Sequence, residues 1–359
     1  MWKQLVKAIA VTPGRPETAG VIDLPEPPEA HGSILVRTRL IGICGTDVEI
    51  ALDGYGVPPP GEDRLVIGHE SLGEVLEAPE GSGLSPGDLV AGVVRRPDPV
   101  PCPACAADEW DMCRNGDFVE RGIKGHHGYG SERFRVDPRF AIRIDPALGD
   151  LGVLLEPTSV LAKAWEHAER IGARAAFEPA TALITGAGPI GLLAAMLARQ
   201  RGLETHVVDV VTEGAKPQLV ADLGAHYHSV QVPELPVAPD VVIECTGLGL
   251  VAIAAVRLAA PGAVIALTGI SHSEDLFTQA RPDQMNKALV LGNKAIFGTV
   301  NAARRHYEQA SAALSLADPA WLARLITRRL APKDWPAALD KRPEDIKIVI
   351  DMGQAGRRD

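Results

Sequence analysis

The chain has no uninterrupted apolar run of membrane-spanning length, no clustered basic stripe, and only five cysteines among 359 residues. Each shortage closes off a class of function. The most apolar stretch, residues 251–270, is interrupted by Arg257 and by Pro261-Gly262, so it reads as a helix, a turn and a strand, and no membrane partner is expected. Residues 1–11 contain Lys3 and Lys7 and no apolar stretch of signal-peptide length; they read as a first strand, and the expected location is cytoplasmic. A formal charge of −10, with basic pairs such as Arg95-Arg96, Arg304-Arg305 and Arg328-Arg329 too short and scattered to make a stripe, opposes a polyphosphate backbone, so no nucleic acid partner is expected. The cysteine count is odd and three of the five fall within twelve positions, which suits metal binding in a reducing compartment better than a disulfide framework. There is no internal repeat and no low-complexity segment.

At this length, beyond the roughly 250 to 300 residues where single cores stop growing, two domains are expected. A hydrophobic content of 46% and a charged content of 23% are ordinary for a globular chain, while 29 prolines and 36 glycines call for many loops. Short β-type runs at 34–41, 65–75, 88–94 and 132–136, broken by Gly and Pro, have the texture of an irregular all-β domain. From about Ser159 the spacing of Val160, Leu161, Ala164, Trp165, Ala168 and Ile171 turns helical, placing a boundary near residue 160. Strands at 181–185, 205–211, 240–245 and 263–269 then alternate with helices at 192–201 and 250–259, the pattern of a parallel sheet covered by helices. After Asn301 the reading is helical, ending in a short strand at 346–350.

Gly186-Ala187-Gly188-Pro189-Ile190-Gly191 matches GxGxxG. Its place between an apolar strand and a helix makes the match specific, because the glycines then permit the tight turn, the approach of a pyrophosphate and close helix–strand packing. The helix N-terminus adds unpaired amides and partial positive charge. Asp209, 18 residues after Gly191, stands where an acid accepts hydrogen bonds from the adenosine ribose hydroxyls, which favours NAD. Lys216 is near enough in sequence to leave NADP open.

Around this fingerprint lie Cys44 in Gly-Ile-Cys-Gly-Thr-Asp, His69-Glu70 in Gly-His-Glu, and Glu156 in Leu-Leu-Glu-Pro. A catalytic zinc takes three protein ligands from separate loops and leaves one position to water or substrate, and one Cys, one His and one carboxylate fit that need.

With Cys44, Gly68-His69-Glu70 and the fingerprint in this order, the chain resembles the zinc-dependent medium-chain alcohol dehydrogenase superfamily over essentially its whole length. Leu155-Glu156-Pro157, Arg95-Arg96-Pro97, residues 116–123 and Gly298-Thr299-Val300-Asn301 resemble the microbial glucose 1-dehydrogenase branch. The resemblance implies an α/β chain with a GroES-like irregular β catalytic domain at 1–160, to which 302–359 return, and a Rossmann domain with a doubly wound parallel sheet at 161–301. It implies that Cys44, His69 and Glu156 bind the catalytic zinc, with Glu70 in or beside the coordination sphere or acting as a base. Thr46 would receive the substrate proton, and Asp47 would hydrogen-bond the metal-bound histidine. Glu120, Asn301, Glu156 and Thr46 would contact the sugar. Thr246, Leu267, Thr299 and Asn301 would join Gly186, Gly188, Pro189, Ile190, Gly191 and Asp209 at the cofactor. Cys102, Cys105 and Cys113 match three of four structural-zinc cysteines; Pro99 occupies the remaining position, so either Asp98 supplies the fourth ligand or the lobe is a metal-free remnant packed around Trp110.

The implied reaction is hydride transfer from C1 of a glucose-like aldose to NAD(P), giving an aldonolactone. Val160 stands where some relatives carry an acid, so the choice among sugars stays open. A polyol or secondary-alcohol dehydrogenase, a zinc-free reductase and a non-catalytic NAD-binding protein are the rival readings. The resemblance also implies a homo-oligomer, a dimer or tetramer, joined at a sheet edge formed by residues 263–269.

Overall fold

The computed structural model describes residues 5–270 and 282–354, and the statements that follow concern those residues. Residues 1–4 of the expected first strand and 355–359 of the returning segment lie outside them. The chain forms two compact units, Met1–Ser159 with Asn301–Asp359, and Val160–Val300.

The first unit is dominated by antiparallel strands. Its central strand, Ile34–Ile43, is apolar along most of its length because it is covered on both sides, and Ile34, Val36, Leu40 and Ile41 are fully or almost fully buried. Each such side chain contributes roughly 1.5–3 kcal/mol relative to exposure. One edge of this strand pairs with Glu70–Glu77. The other is shared, with Arg133–Val136 against its first half and Lys347–Asp351 against its second. Leu89–Gly92 and Ala141–Arg143 extend the sheet on one side, and Ile326–Leu330 on the other. A smaller sheet joins Arg15–Pro25, Leu5–Thr12 and Leu65–Val66, and a third joins Arg95–Arg96, Val119–Arg121 and Gly125–His126.

Two departures from expectation matter. The run at 65–75 is not one strand but two, Leu65–Val66 and Glu70–Glu77, with His69 in the break between them. The helical reading between Asn301 and the closing strand misses Ile326–Leu330, a strand whose burial alternates between intermediate and exposed. Its Thr, Arg, Arg sequence gave no apolar run to read.

The second unit holds six parallel strands. In space they run His226–His228, Glu204–Val208, Thr181–Thr185, Val241–Glu244, Val264–Leu267 and Ala295–Gly298, which is 3-2-1-4-5-6 when counted along the chain. That order reverses direction beside Thr181–Thr185, the topological switch point where doubly wound sheets bind dinucleotides at the carboxyl ends of their strands. The helix Pro189–Gln200 follows the first of these strands and is buried along most of its length. The strand Val264–Leu267 is internal, paired on one side with Val241–Glu244 and on the other with Ala295–Gly298. A sheet edge at 263–269 is therefore incorrect; among the described residues the edge belongs to Ala295–Gly298. Among the described residues, no helix is long and apolar enough to cross a membrane.

Candidate metal centre and nucleotide site

Cys44 follows the buried central strand and caps the helix Gly45–Asp53. Its sulfur accepts the amide of Thr46 at 3.2 Å, and its own amide donates to Asp47 Oδ2 at 3.0 Å. The cap fixes the thiol at a helix N-terminus, where partial positive charge favours an anion. His69, in the break before Glu70–Glu77, brings Nε2 to 3.0 Å from Cys44 Sγ. Its Nδ1 lies 3.6 Å from Asp47 Oδ1, beyond hydrogen-bond distance, so the expected hydrogen bond is not formed, and Oδ1 accepts the Gly68 amide at 3.4 Å. Cys44, His69 and Glu70 each offer a ligand atom within 4.8 Å of the others. Glu156, in the first turn of the helix Leu155–Gly172, stands beside this set, close enough for its charge to act on His69 and on Lys347.

The electrostatics of this cluster are those of a buried excess of acid. Burial raises the carboxyl pKa of Asp47, opposed by His69 and the Cys44 amide. Burial also pushes Glu156 up to about 7, with Glu70 adding to the shift and His69 opposing it. For His69, burial acts downward, but Cys44 and Asp47 together hold its imidazole well above the ordinary value. Cys44 and Asp47 thus favour positive charge at the imidazole between them. The donor set of sulfur, imidazole and carboxylate fits zinc.

Lys347 was not singled out from the sequence. Its ammonium lies 2.7 and 2.6 Å from the two oxygens of Glu70 and 3.3 Å from the Ile43 carbonyl, and the side chain is fully buried. Burial alone lowers its pKa, yet Glu70, with Cys44 and Glu156, raises it overall. The only available signal was a lone charge inside the apolar run Ile-Lys-Ile-Val-Ile.

A second buried polar group forms around Glu120. This residue lies on Val119–Arg121, directly opposite Arg95 in the ladder. Glu120 Oε1 accepts from Arg95 Nε at 3.1 Å and Nη2 at 3.0 Å, and from Asn301 Nδ2 at 2.8 Å. Arg95 also donates to the Asp111 carbonyl at 2.9 Å and lies over the Phe118 ring. Asn301 holds a left-handed φ of 61° and accepts the Ala302 amide on its side-chain oxygen at 2.9 Å. Composition alone would make Glu120 a solvated loop acid, whereas it is 7% exposed and paired with a guanidinium.

Cys102, Cys105 and Cys113 converge, with all three sulfurs within 4.8 Å of one another. All five cysteines of the chain are free thiols. Asp98, 5% exposed, points into this lobe: its Oδ2 lies 3.9 Å from Cys113 Sγ and accepts the Asp117 amide at 3.2 Å, while Oδ1 accepts the Val100 amide at 2.8 Å. Backbone amides of Cys105 and Arg114 lower the Cys102 thiol to about 6. Burial raises Cys105 to about 11, opposed by the Asp98 amide. Three thiols and a carboxylate in one buried lobe form a set of four donors, the number a structural tetrahedral zinc requires.

In the second unit, Gly186 has φ 86° and Gly188 caps the helix whose first residue is Pro189. A Cβ on Gly191 would stand 1.8 Å from the Gly186 carbonyl oxygen, so helix and turn meet only through glycine, whereas a Cβ on Gly188 would meet nothing within 4 Å and faces open space. Ile190 follows in the first turn. Asp209 Oδ2 accepts the Ala187 amide at 2.6 Å, Oδ1 accepts the Val211 amide at 3.0 Å, and Lys216 Nζ lies 3.5 Å away. Thr246 is exposed and donates its amide to Glu244 at 2.8 Å. Leu267 ends its strand and its carbonyl accepts the Thr299 amide at 3.0 Å. The Thr299 hydroxyl is buried with no hydrogen-bond partner among the described residues, the condition of a group completed by a ligand or a water.

Residues 149–352 match the family model described as glucose dehydrogenase C-terminus, and residues 30–146 match the alcohol dehydrogenase GroES-like domain. The chain is 38% identical over 359 residues to a glucose 1-dehydrogenase of Methanocella arvoryzae, covering 97% of this chain and 100% of the relative. It is 36% identical to a glucose 1-dehydrogenase of Thermoproteus tenax, covering 97% and 99%. The structure of Haloferax mediterranei glucose dehydrogenase in complex with NADP, Zn and gluconolactone superimposes with a TM-score of 0.88 at 33% identity, covering 96% of this chain and 99% of that one. With a GroES-like segment, a Rossmann sheet of order 3-2-1-4-5-6 and relatives of this similarity along its whole length, the chain belongs to the glucose dehydrogenase family of zinc-dependent medium-chain dehydrogenases.

Proposed function

We propose that the chain is an NAD(P)-dependent zinc dehydrogenase that oxidises C1 of a glucose-like aldopyranose to the aldonolactone. The observation that carries this reading is the convergence of Cys44, His69 and Glu70 within 4.8 Å beside Glu156, in a chain 38% identical to a glucose 1-dehydrogenase. In this reading Cys44, His69 and Glu156, with Glu70 beside them, hold the catalytic zinc, which when bound supplies a Lewis acid that lowers the pKa of the sugar hydroxyl. Asp47, 3.6 Å from His69 Nδ1, orients the imidazole. Thr46, on the helix turn after Cys44, relays the proton of the sugar hydroxyl outward through the cofactor ribose to solvent as it passes on its own, or Glu70 accepts that proton as a base. Asn301 and Glu120 bind sugar hydroxyls and reject analogues that lack them. Asp98, Cys102, Cys105 and Cys113 hold a second, structural zinc.

Gly186, Gly188, Pro189, Ile190 and Gly191 receive the pyrophosphate, and Thr246, Leu267, Thr299 and Asn301 flank the nicotinamide half. Asp209 accepts the ribose hydroxyls of NAD, and Lys216 at 3.5 Å offers a cation to the 2′-phosphate of NADP. The protein supplies orientation and electrostatics, while the cofactor carries the redox change. The catalytic domain of this reading comprises 1–160 and 302–359, and the nucleotide-binding domain 161–301. The enzyme acts in the cytoplasm as a homo-oligomer, either a dimer or a tetramer.

The test is absorbance at the reduced-nicotinamide band with zinc-replete protein, NAD or NADP, and a panel of aldoses, alditols and simple alcohols. Turnover on aldoses that disappears in Glu156→Ala supports the proposal. Turnover confined to alditols or alcohols overturns the aldose assignment and the roles given to Glu120 and Asn301.

A further inference from the structure

The outer strands of the six-stranded sheet carry four ionisable side chains on one face. Glu204 and His206 are two apart on Glu204–Val208, and His226 and His228 are two apart on His226–His228. Side chains two apart on a strand share a face. The parallel register sets His206 opposite His226 and Val208 opposite His228, so the four come together on a single patch, with Val207 and Tyr227 on the other face.

The contacts within the patch are specific. His206 Nε2 lies 3.2 Å from Glu204 Oε1, and His226 Nε2 lies 3.8 Å from the same oxygen. Glu204, His206 and His226 each offer a ligand atom within 4.8 Å of the others. Around a tetrahedral zinc with bonds of about 2.0–2.1 Å, ligand atoms stand roughly 3.3 Å apart, so small side-chain adjustments close the three around one ion. His206 is 5% exposed, while Glu204 and His226 are exposed, which gives a path for entry and leaves a position for water. The remaining ring nitrogen of His206, Nδ1, is 2.9 Å from His228 Nε2. A proton on Nδ1 donated to His228 leaves Nε2 with a lone pair facing Glu204, which is the arrangement that metal-binding histidines adopt when a hydrogen bond fixes the ring. The imidazole rings of His206 and His226 are stacked, with centroids 4.8 Å apart.

We propose that Glu204, His206 and His226 form a zinc-binding site on the outer strands of the nucleotide-binding sheet, oriented by His228 and separate from the Cys44 cluster and the cysteine lobe. Bound there, the ion clips the outermost described strand to its neighbour. The site does not depend on the dehydrogenase reading, because none of its residues is placed in that chemistry.

The test is isothermal titration of Zn2+ into full-length protein that has been made zinc-replete and desalted. The wild-type chain is expected to take up one additional equivalent and to show a higher Tm in its presence. His226→Ala and Glu204→Gln alter exposed side chains and should abolish both the extra equivalent and the Tm rise while leaving basal activity unchanged. His228→Ala should weaken the extra site about tenfold or more. Absence of an additional equivalent in the wild type, or an additional equivalent that persists in His226→Ala, overturns the proposal.

Discussion

The Lys347 ammonium reaches both carboxylate oxygens of Glu70, at 2.6 and 2.7 Å, from a strand that begins 277 residues further along the chain. Glu70 in turn stands over Gly42, its partner in the ladder, where a Cβ would lie 2.0 Å from Oε2. The carboxylate is thus fixed between a cation and a bare stretch of backbone. Lys347→Met leaves that carboxylate buried without its cation, and removing one partner of a buried pair costs about 3–5 kcal/mol. Chemical denaturation should show this loss, and the double variant Lys347→Met with Glu70→Gln should recover part of it, since the two effects are coupled.

Asn301 is expected to act on the sugar through its amide donor, now engaged by Glu120 at 2.8 Å. Its φ of 61° suits Gly as well as Asn, so Asn301→Gly removes the side chain without adding backbone strain. Without Asn301 the buried sugar hydroxyl loses its partner, which costs about 1–3 kcal/mol. Steady-state kinetics should show kcat/KM for the preferred aldose lowered about tenfold to a hundredfold, with turnover retained. An unchanged value removes Asn301 from the sugar site.

In the proposed reading, Asp209 and Lys216 set opposite preferences for the dinucleotide. Asp209→Ala removes the carboxylate that repels a 2′-phosphate, and Lys216→Glu removes the cation that attracts it. On the scale of a hydrogen bond to a charged group, about 1.5–3 kcal/mol, the ratio of kcat/KM for NADP over NAD should rise about tenfold or more in the first variant and fall similarly in the second.

Stability should also depend on His126. Burial first, then the charges of Arg121, His31, Arg96 and His127, lower its pKa from 6.5 to about 2. Between these values the unfolded chain binds a proton that the folded chain does not. The contribution to stability is therefore complete above pH 6.5 and is lost as the pH falls toward 2. The limiting slope for one proton is about 1.4 kcal/mol per pH unit, reduced where water reaches the ring. His126→Gln should flatten the fall in denaturation free energy between pH 6.5 and 4 relative to the wild type.

The sequence reading reached the nucleotide half most directly. There strand, turn and helix are local, and Gly186, Gly191 and Asp209 act through backbone geometry that their spacing encodes. The candidate metal centre was legible as a set of residue types, because Cys44 and His69 sit in short motifs. What could not be read was the pairing that sets their charge. Lys347 looks like any lysine until the ladder sets its neighbour Ile348 opposite Ile43, and Arg95 meets Glu120 only through strand register. The strand Ile326–Leu330 escaped for a related reason: its pattern of Thr and Arg carries no apolar period, and its place in the sheet comes from pairing with Lys347–Asp351.

The first unit is interrupted by the second, and this orders events in time. At about 5–20 residues per second of synthesis, roughly 15–55 s separate the emergence of Glu70 from that of Lys347. Before Lys347 emerges the segment Val160–Val300 has become available in full and can fold as a continuous unit. The second half of Ile34–Ile43 meanwhile lacks the strand that will cover its edge, which leaves a row of unpaired backbone groups open to a neighbouring chain. Nascent chains stalled before residue 347 should consequently be more prone to aggregate than the completed protein, because the same strand that supplies the buried cation also seals that edge.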